Sequence, residues 1–246
     1  MVTKADFQLI RSLADKQGRT AHGLFVAEGD KLVGEITSSP KWVIERLFVT
    51  EGSAISSPKA EVVTAKEMER MTLLKSAPRS LALVRIPKRA TPAPTNEKLI
   101  IALDEVQDPG NLGTIIRTAD WYGIRHIVCS PTTADCFAPK VVQATMGALL
   151  RVEVTYTPLA EWLQQAQRRG IATYATTLDG KDIHTTPLTR GGVIVMGNEG
   201  KGVSPQVLGC VSHRLFIPPY PADRRGSESL NVAIATAITC ENFRSR

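Results

Sequence analysis

The sequence has no run approaching the about 18 apolar residues that a membrane-spanning helix needs. Its first ten residues carry Lys4 and Asp6 and no apolar segment, so they do not resemble a secretory leader. Cytoplasmic localisation and no membrane partner are the expectation. Cysteine is scarce: Cys129, Cys136, Cys210 and Cys240 form no CxxC pair. His22, His126, His184 and His213 stand at no ligand spacing to them, so no metal site is expected. Four scattered thiols fit a reducing compartment. The chain also lacks internal repeats and low-complexity tracts.

What is present is an ordinary globular composition, 43% hydrophobic and 22% charged over 246 residues. That length allows one large domain or two ordinary ones. The formal net charge of +6 is unevenly divided. Residues 1–98 hold 16 Lys/Arg against 11 Asp/Glu, and the remainder holds 14 against 13. A basic first part fits a polyanion-binding module, although a solvated surface has the same composition.

Apolar spacing predicts a helix over 6–14, a basic Gly-bounded loop over 16–23, a strand over 24–26 and a helix over 29–36. Strands over 46–50, 61–64 and 81–86, with a helix over 65–74, complete a small α/β unit. Residues 87–96 hold three prolines and no large apolar side chain, and 87–98 reads as a linker. The expected domains are therefore 1–86 and 99–246. Beyond the linker, strands over 99–103, 127–129, 152–156, 172–175, 193–196 and 215–217 alternate with helices over 112–122, 139–149, 159–169 and 230–243. Such alternation predicts a mostly parallel sheet with ligands at the carboxyl ends of its strands.

Three clusters carry candidate chemistry. In Asp108–Ala119, Pro109 and Gly110 make a turn, and Asn111 is placed to cap the following helix. Arg117 then falls near the helix start, a place suited to phosphate; a plain capped helix with a surface arginine has the same pattern. In Met196–Val203, Gly197, Gly200 and Gly202 let backbone approach a ligand. Their order is G-x-x-G-x-G, neither a dinucleotide fingerprint nor a P-loop, and a Gly-rich surface turn is the alternative. The third cluster runs from Ile217-Pro218 to Ser227–Ala235, where Ser229 and Asn231 stand at the entrance of an apolar helix.

Together these clusters resemble the SpoU/TrmH branch of the SPOUT superfamily, RNA ribose 2′-O-methyltransferases that use S-adenosylmethionine. The resemblance rests on Asn-x-Gly-x-x-x-Arg at Asn111, Gly113 and Arg117, on Gly-Asn-Glu-Gly-x-Gly at Gly197–Gly202, and on Ser-Leu-Asn-Val at Ser229–Val232. The first part is similar to the small substrate-binding domain of longer members, through Phe25–Gly29.

The resemblance implies an α/β SPOUT domain with a parallel sheet and a deep trefoil knot, a small N-terminal α/β RNA-binding domain, and a homodimer formed through the C-terminal domain. It implies Arg117, Asn111, Glu199, Ser229 and Asn231 as catalytic residues. It implies Met196, Gly197, Gly200, Gly202, Ile217, Pro218 and Leu230 around S-adenosylmethionine. The substrate class is rRNA or tRNA. The alternative is a non-catalytic RNA-binding protein retaining the fold. One departure stands out: the link over Pro219–Gly226 is longer than usual and carries Asp223, Arg224 and Arg225, of which the two arginines are expected to face RNA.

Overall fold

The computed structural model describes residues 2–221 and 228–245. Asp223, Arg224 and Arg225 thus lie outside the described residues. The chain divides into two compact units, 1–88 with 135–150, and 89–134 with 151–246.

The first unit contains α1 (Lys4–Ser12), α2 (Lys16–His22), β1 (Leu24–Glu28), α3 (Asp30–Thr37), β2 (Ile44–Val49), β3 (Ala60–Val62), α4 (Ala65–Met71) and β4 (Ser80–Arg85). Its sheet has the order β1-β4-β2-β3. β4 is antiparallel to both β1 and β2, and β3 runs parallel to β2. α1 and α4 each start with a capping box, Thr3 with Asp6 and Thr64 with Glu67, in which side chain and backbone satisfy each other's free donors. Ile10, Leu13, Val26, Phe48, Met68 and Leu83 are central to the core.

The stretch expected as a basic loop is instead the helix α2. It closes on Gly23, whose φ of 62° is the left-handed conformation in which glycine ends helices cheaply. Gly18 argues against a helix on propensity, yet a Cβ there would come within 1.9 Å of the Ser12 carbonyl oxygen. Only glycine lets α2 lie this close to the end of α1. Arg19 is buried, and its guanidinium donates to the Leu13 and Ala14 carbonyls at 2.8 Å. The same group pairs with Asp135 through two bonds of 2.9 and 2.6 Å. α6 (Pro139–Ala144) and a 3₁₀ turn (Ala148–Leu150) follow Asp135, shorter than the expected continuous helix. Phe137 packs on Phe25 with ring centroids 4.9 Å apart.

The second unit contains β5 (Leu99–Leu103), α5 (Pro109–Trp121), β6 (His126–Cys129), β7 (Glu153–Tyr156), α7 (Leu159–Arg168), β8 (Thr173–Asp182), β9 (Gly192–Met196), α8 (Pro205–Leu208), β10 (His213–Phe216) and α9 (Val232–Arg244). Its six strands lie in the order β10-β8-β9-β5-β6-β7, and every neighbouring pair is parallel. β5 and β9 are buried along their whole length, as central strands of a sheet covered on both faces must be. The Pro-rich stretch is strapped to this unit: Trp162 Nε1 donates to the Pro92 carbonyl at 2.7 Å and Arg169 to that of Pro94 at 3.0 Å. Among the described residues no helix is long and apolar enough to cross a membrane.

The Arg19–Asp135 pair generates a prediction. Removing one partner of a buried pair leaves the other charge uncompensated. Arg19→Ala should lower unfolding free energy by about 3 kcal/mol in a denaturant titration. A loss below about 1 kcal/mol, the scale of an exposed pair, would contradict the structural role given to Arg19.

Candidate functional site

β5 and β9 are parallel neighbours, so the loops that follow them emerge at the same edge of the sheet. They are cross-tied. The Asp104 amide donates to the Met196 carbonyl at 2.9 Å, and the buried Asp104 carboxylate accepts from the Ser204 amide at 2.7 Å. Glu105 adopts φ of 60°, a conformation that costs a side-chain-bearing residue free energy. Its backbone is held on both sides: its amide donates to Ser130 Oγ at 2.9 Å, and its carbonyl accepts from Asn198 Nδ2 at 2.8 Å.

The loop after β9 is a tight reversal. Asn198 and Gly202 exchange both backbone bonds at 2.9 Å. Asn198 Oδ1 accepts from the Gly200 and Lys201 amides at 3.0 and 3.1 Å. The three glycines have different reasons to be there. A Cβ on Gly197 would fall 2.2 Å from the backbone of Gly202 and Val203. Gly202 has φ of 69°. Gly200 is neither left-handed nor crowded, its nearest neighbour being Asn198 Oδ1 at 3.8 Å. Among the described residues, neither conformation nor packing requires glycine at that exposed position.

α5 starts three residues earlier than its apolar spacing predicts. Its cap is Asp108, whose carboxylate accepts from the Asn111 amide at 2.7 Å, with Pro109 at the first helical position. Asn111 is therefore not the cap, which corrects that expectation, and its side chain is free for other partners. Asn111 Nδ2 donates to Glu199 Oε1 at 3.0 Å, and Asn111 Oδ1 accepts from Asn231 Nδ2 at 2.9 Å. Asn231 itself caps α9, accepting from the Ala233 and Ile234 amides. The polarity of this chain is determined throughout. The ionised Glu199 only accepts, so Asn111 turns its amide donors to it and its carbonyl to Asn231.

Glu199 collects further donors, the Asp108 amide at 3.2 Å and the Gln107 amide at 3.4 Å. Partial burial pushes its pKa up. Hydrogen bonds from Asn111, from its own backbone and from the Asp108 and Gln107 amides outweigh that effect and hold it below the ordinary Glu value. At neutral pH it is a carboxylate that braces two loops and is a poor proton acceptor.

The remaining predicted residues are placed as follows. Arg117 lies in the third turn of α5, not near its start, and is exposed on one face with Gly110, Thr114 and Trp121. Among the described residues its guanidinium makes no hydrogen bond or ion pair, so the structure does not join it to the Glu199–Asn111–Asn231 chain. Ser229 and Leu230 are exposed and precede α9, which starts at Val232 rather than Leu230. Met196 is buried and accepts from Thr176 Oγ1 at its sulfur, 3.5 Å away. Ile217 and Pro218 are half-buried beyond β10.

Asp108 and Asn198 were missed as organisers of the site. The Asp-Pro pair ahead of a helix was the available signal for Asp108, and the asparagine within the Gly-rich turn was the signal for Asn198. Thr177 was missed as well. It lies two residues beyond Ala175, which pairs with Val195, so it stands at the carboxyl end of the sheet beside the β9 loop. Among the described residues its buried hydroxyl has no hydrogen-bond partner of good geometry, although the Asp179 carboxylate is near enough to feel it.

Comparison with known proteins gives this arrangement a context. Residues 98–241 match the SpoU rRNA Methylase family, and residues 5–89 match the MRM3-like substrate binding domain. The chain belongs to the SpoU rRNA methylase family. Among relatives, RlmP of Bacillus subtilis, a 23S rRNA guanosine 2′-O-methyltransferase, is 29% identical over 95% of this chain and 94% of its own. RlmB of Coxiella burnetii, a 23S rRNA guanosine-2′-O-methyltransferase, is 31% identical over 77% of this chain and 71% of its own. Among solved structures, a TrmH-family protein from Porphyromonas gingivalis superimposes with a TM-score of 0.89 at 40% identity, over 100% of this chain and 99% of that one. An rRNA methyltransferase from Sinorhizobium meliloti, solved with S-adenosylmethionine bound, gives 0.85 at 28% identity, covering 100% and 96%.

Gly197 and Gly200 in the loop after β9 differ in what the packing demands of them. Gly197→Ala should cost more than about 2 kcal/mol, because backbone occupies the space. Gly200→Ala should stay within about 0.5 kcal/mol of the parent, as at an open surface position. Thermal unfolding of both variants checks this, and equal losses would refute the distinction.

Proposed function

We propose that this chain transfers a methyl group from S-adenosylmethionine to a ribose 2′-hydroxyl of rRNA, with the catalysis in its second unit. The observation that carries the reading is the Glu199–Asn111–Asn231 chain, which ties three separate sequence motifs together at the carboxyl ends of β5 and β9. Family membership supplies the reaction class. The chain also has a unit whose residues 5–89 match the MRM3-like substrate binding domain. Among RNA classes, rRNA is favoured over tRNA by the relatives' substrates. Bacterial rRNA enzymes as relatives also support action in the cytoplasm.

The residues present fit the cofactor. Among the described residues, Gly200 offers an open backbone, and Thr177 has a buried hydroxyl that makes no hydrogen bond of good geometry. Leu230, Ile217 and Pro218 supply partly exposed apolar surface. Met196, Gly197, Gly200, Gly202, Ile217, Pro218 and Leu230 would hold it, largely through backbone groups. When bound, S-adenosylmethionine supplies an electrophilic sulfonium methyl.

The chain's own residues do the rest. Asn111 and Glu199 hold the loops after β5 and β9 in one geometry, and positioning is a large share of what such a transfer requires. A ribose hydroxyl is a weak nucleophile and must lose its proton, which passes to solvent water as the oxygen takes the methyl group. Arg117 stays protonated, so its role is to orient the neighbouring RNA phosphate and favour the ionised hydroxyl by charge. Ser229 and Asn231 orient the ribose at the entrance of α9. The knotted topology of the family and a homodimer through the second unit belong to this reading. The dimer is supported by exposed apolar side chains on α5 and around the start of α9: Trp121 at 85% relative exposure, Ile234 and Leu230.

In single-turnover assays on rRNA lacking the modification, Arg117→Ala should slow methyl transfer by about 100-fold or more while leaving S-adenosylmethionine affinity intact. Gly200→Val should weaken that affinity about 10-fold in calorimetry. Near-parental transfer by Arg117→Ala would overturn its assignment, and unchanged cofactor affinity of Gly200→Val would overturn the pocket. Light scattering should give twice the chain mass for the parent and a monomer for Trp121→Glu with Ile234→Glu.

A further inference from the structure

Two acids at the end of β1 take no part in the site described above. Glu28 is mostly buried. Burial raises its pKa, partly offset by the Thr72 hydroxyl and the Leu73 amide. Thr72 Oγ1 donates to it at 2.6 Å. Asp30 accepts from Ser80 Oγ at 2.7 Å, Ser53 Oγ at 3.1 Å and the Ala54 amide at 3.0 Å. Burial also raises Asp30, but these donors and the nearby Arg79 outweigh it, and its pKa is lowered. Between them the two carboxylates fix the irregular segments 50–55 and 72–80 at one end of the sheet. Arg79 adds a bond to the Gly52 carbonyl at 3.1 Å. Burying the Glu28 carboxylate opposes folding, so the 72–80 segment is held there at a cost, whereas the donors around Asp30 outweigh its burial. Loops held rigidly by a scaffold are where proteins place binding groups.

Beside this brace lies a shallow cleft within the first unit, lined by Val26, Glu28, Leu32, Leu74, Pro139 and Gln143 among others. On each of three elements a lysine stands next in sequence to a residue that lines the cleft: Lys31 before Leu32 on α3, Lys75 after Leu74, and Lys140 after Pro139 on α6. All three are exposed, and none has a hydrogen-bond or ion-pair partner among the described residues. The acids nearby are turned inward: Glu28 and Asp30 as above, and Glu35 with its carboxylate against Gly147. Glu51 is exposed beside Gly52 on the 50–55 segment. Most arginines elsewhere in the unit are already engaged, Arg19 by Asp135, Arg46 by Asp6 and Glu61, Arg85 by Glu45, and Arg70 over the Phe7 ring, while Arg11 is exposed on α1.

Building on the proposed rRNA substrate, we infer that Lys31, Lys75 and Lys140 around the Glu28 cleft are the phosphate grip of the first unit. Lysine is a compact point charge that suits phosphate without reading bases. The grip therefore recruits and orients the RNA backbone, while the choice of nucleotide is made elsewhere. The basic stretch Lys16–His22, the more obvious candidate in the sequence, has its arginine buried and saturated.

The test is a salt series of filter binding to an unmodified 23S rRNA transcript. The parent is compared with the triple variant Lys31→Ala, Lys75→Ala, Lys140→Ala and with a control triple, Lys4→Ala, Lys41→Ala, Lys66→Ala. Each lost phosphate contact should reduce the slope of log affinity against log salt by about 0.7 to 0.9. The cleft triple should lose about 2 to 3 from the slope and at least about 10-fold in affinity at physiological salt. Its thermal midpoint and S-adenosylmethionine affinity should be unchanged, and the control triple should bind as the parent does. A cleft triple that binds like the parent, or a control triple that loses as much, overturns the placement while leaving the rRNA reading intact. A parent that binds S-adenosylmethionine but shows no salt-dependent affinity for the transcript overturns both.

Discussion

The second unit depends on one carboxamide. Asn111 has a donor and an acceptor on the same planar group, and the structure uses both, giving to Glu199 and taking from Asn231. Glu199 sits on the loop after β9, Asn111 on the first turn of α5 and Asn231 on the cap of α9. No other side-chain type of this size can accept at one end and donate at the other without carrying charge. Aspartate at 111 would set two carboxylates against each other, and leucine would leave Glu199 and Asn231 short of a partner. The helices are tied at their far ends too, where Arg244 Nε donates to the Tyr122 carbonyl at 2.9 Å. α5 and α9 consequently run side by side in the same direction, with the polar chain at their starts.

Much of this architecture was legible from residue patterns. The strands at 99–103 and 193–196 are uninterrupted apolar runs, and both are central strands of a parallel sheet. α2 was not legible. Gly18 and the charges around it read as a loop. What makes the segment helical is tertiary: the close approach of Ser12 to Gly18 and the engagement of Arg19 by Asp135, 116 residues away. The excursion 135–150 shows the same limit. Its apolar spacing announces a helix but not that the helix packs with 1–88.

At the site, motifs were visible but pairings were not. Asn111 carries the right chemistry for a cap, and Asp108, three residues ahead with proline after it, took that position. Asn111 was thereby released to link motifs 88 and 120 residues distant. The glycines of the 197–202 loop look alike in sequence, yet backbone crowding requires one and a left-handed turn favours another. At Gly200 the described residues supply no such reason. Carboxylates show a similar split of purpose. Glu199, Glu28 and Asp30 all brace loops, and in each unit the exposed cations proposed to meet RNA stand apart from these satisfied acids.

Coupling between two residues that do not touch is the most direct measure of whether Asn111 unites the site. A double-mutant cycle of Glu199→Ala and Asn231→Ala, read by unfolding free energy, should give an interaction of about 0.5 to 1 kcal/mol in the parent. The same cycle should give none in an Asn111→Ala background. Strict additivity of the two substitutions in the parent would contradict the account, as would a coupling that survives loss of Asn111.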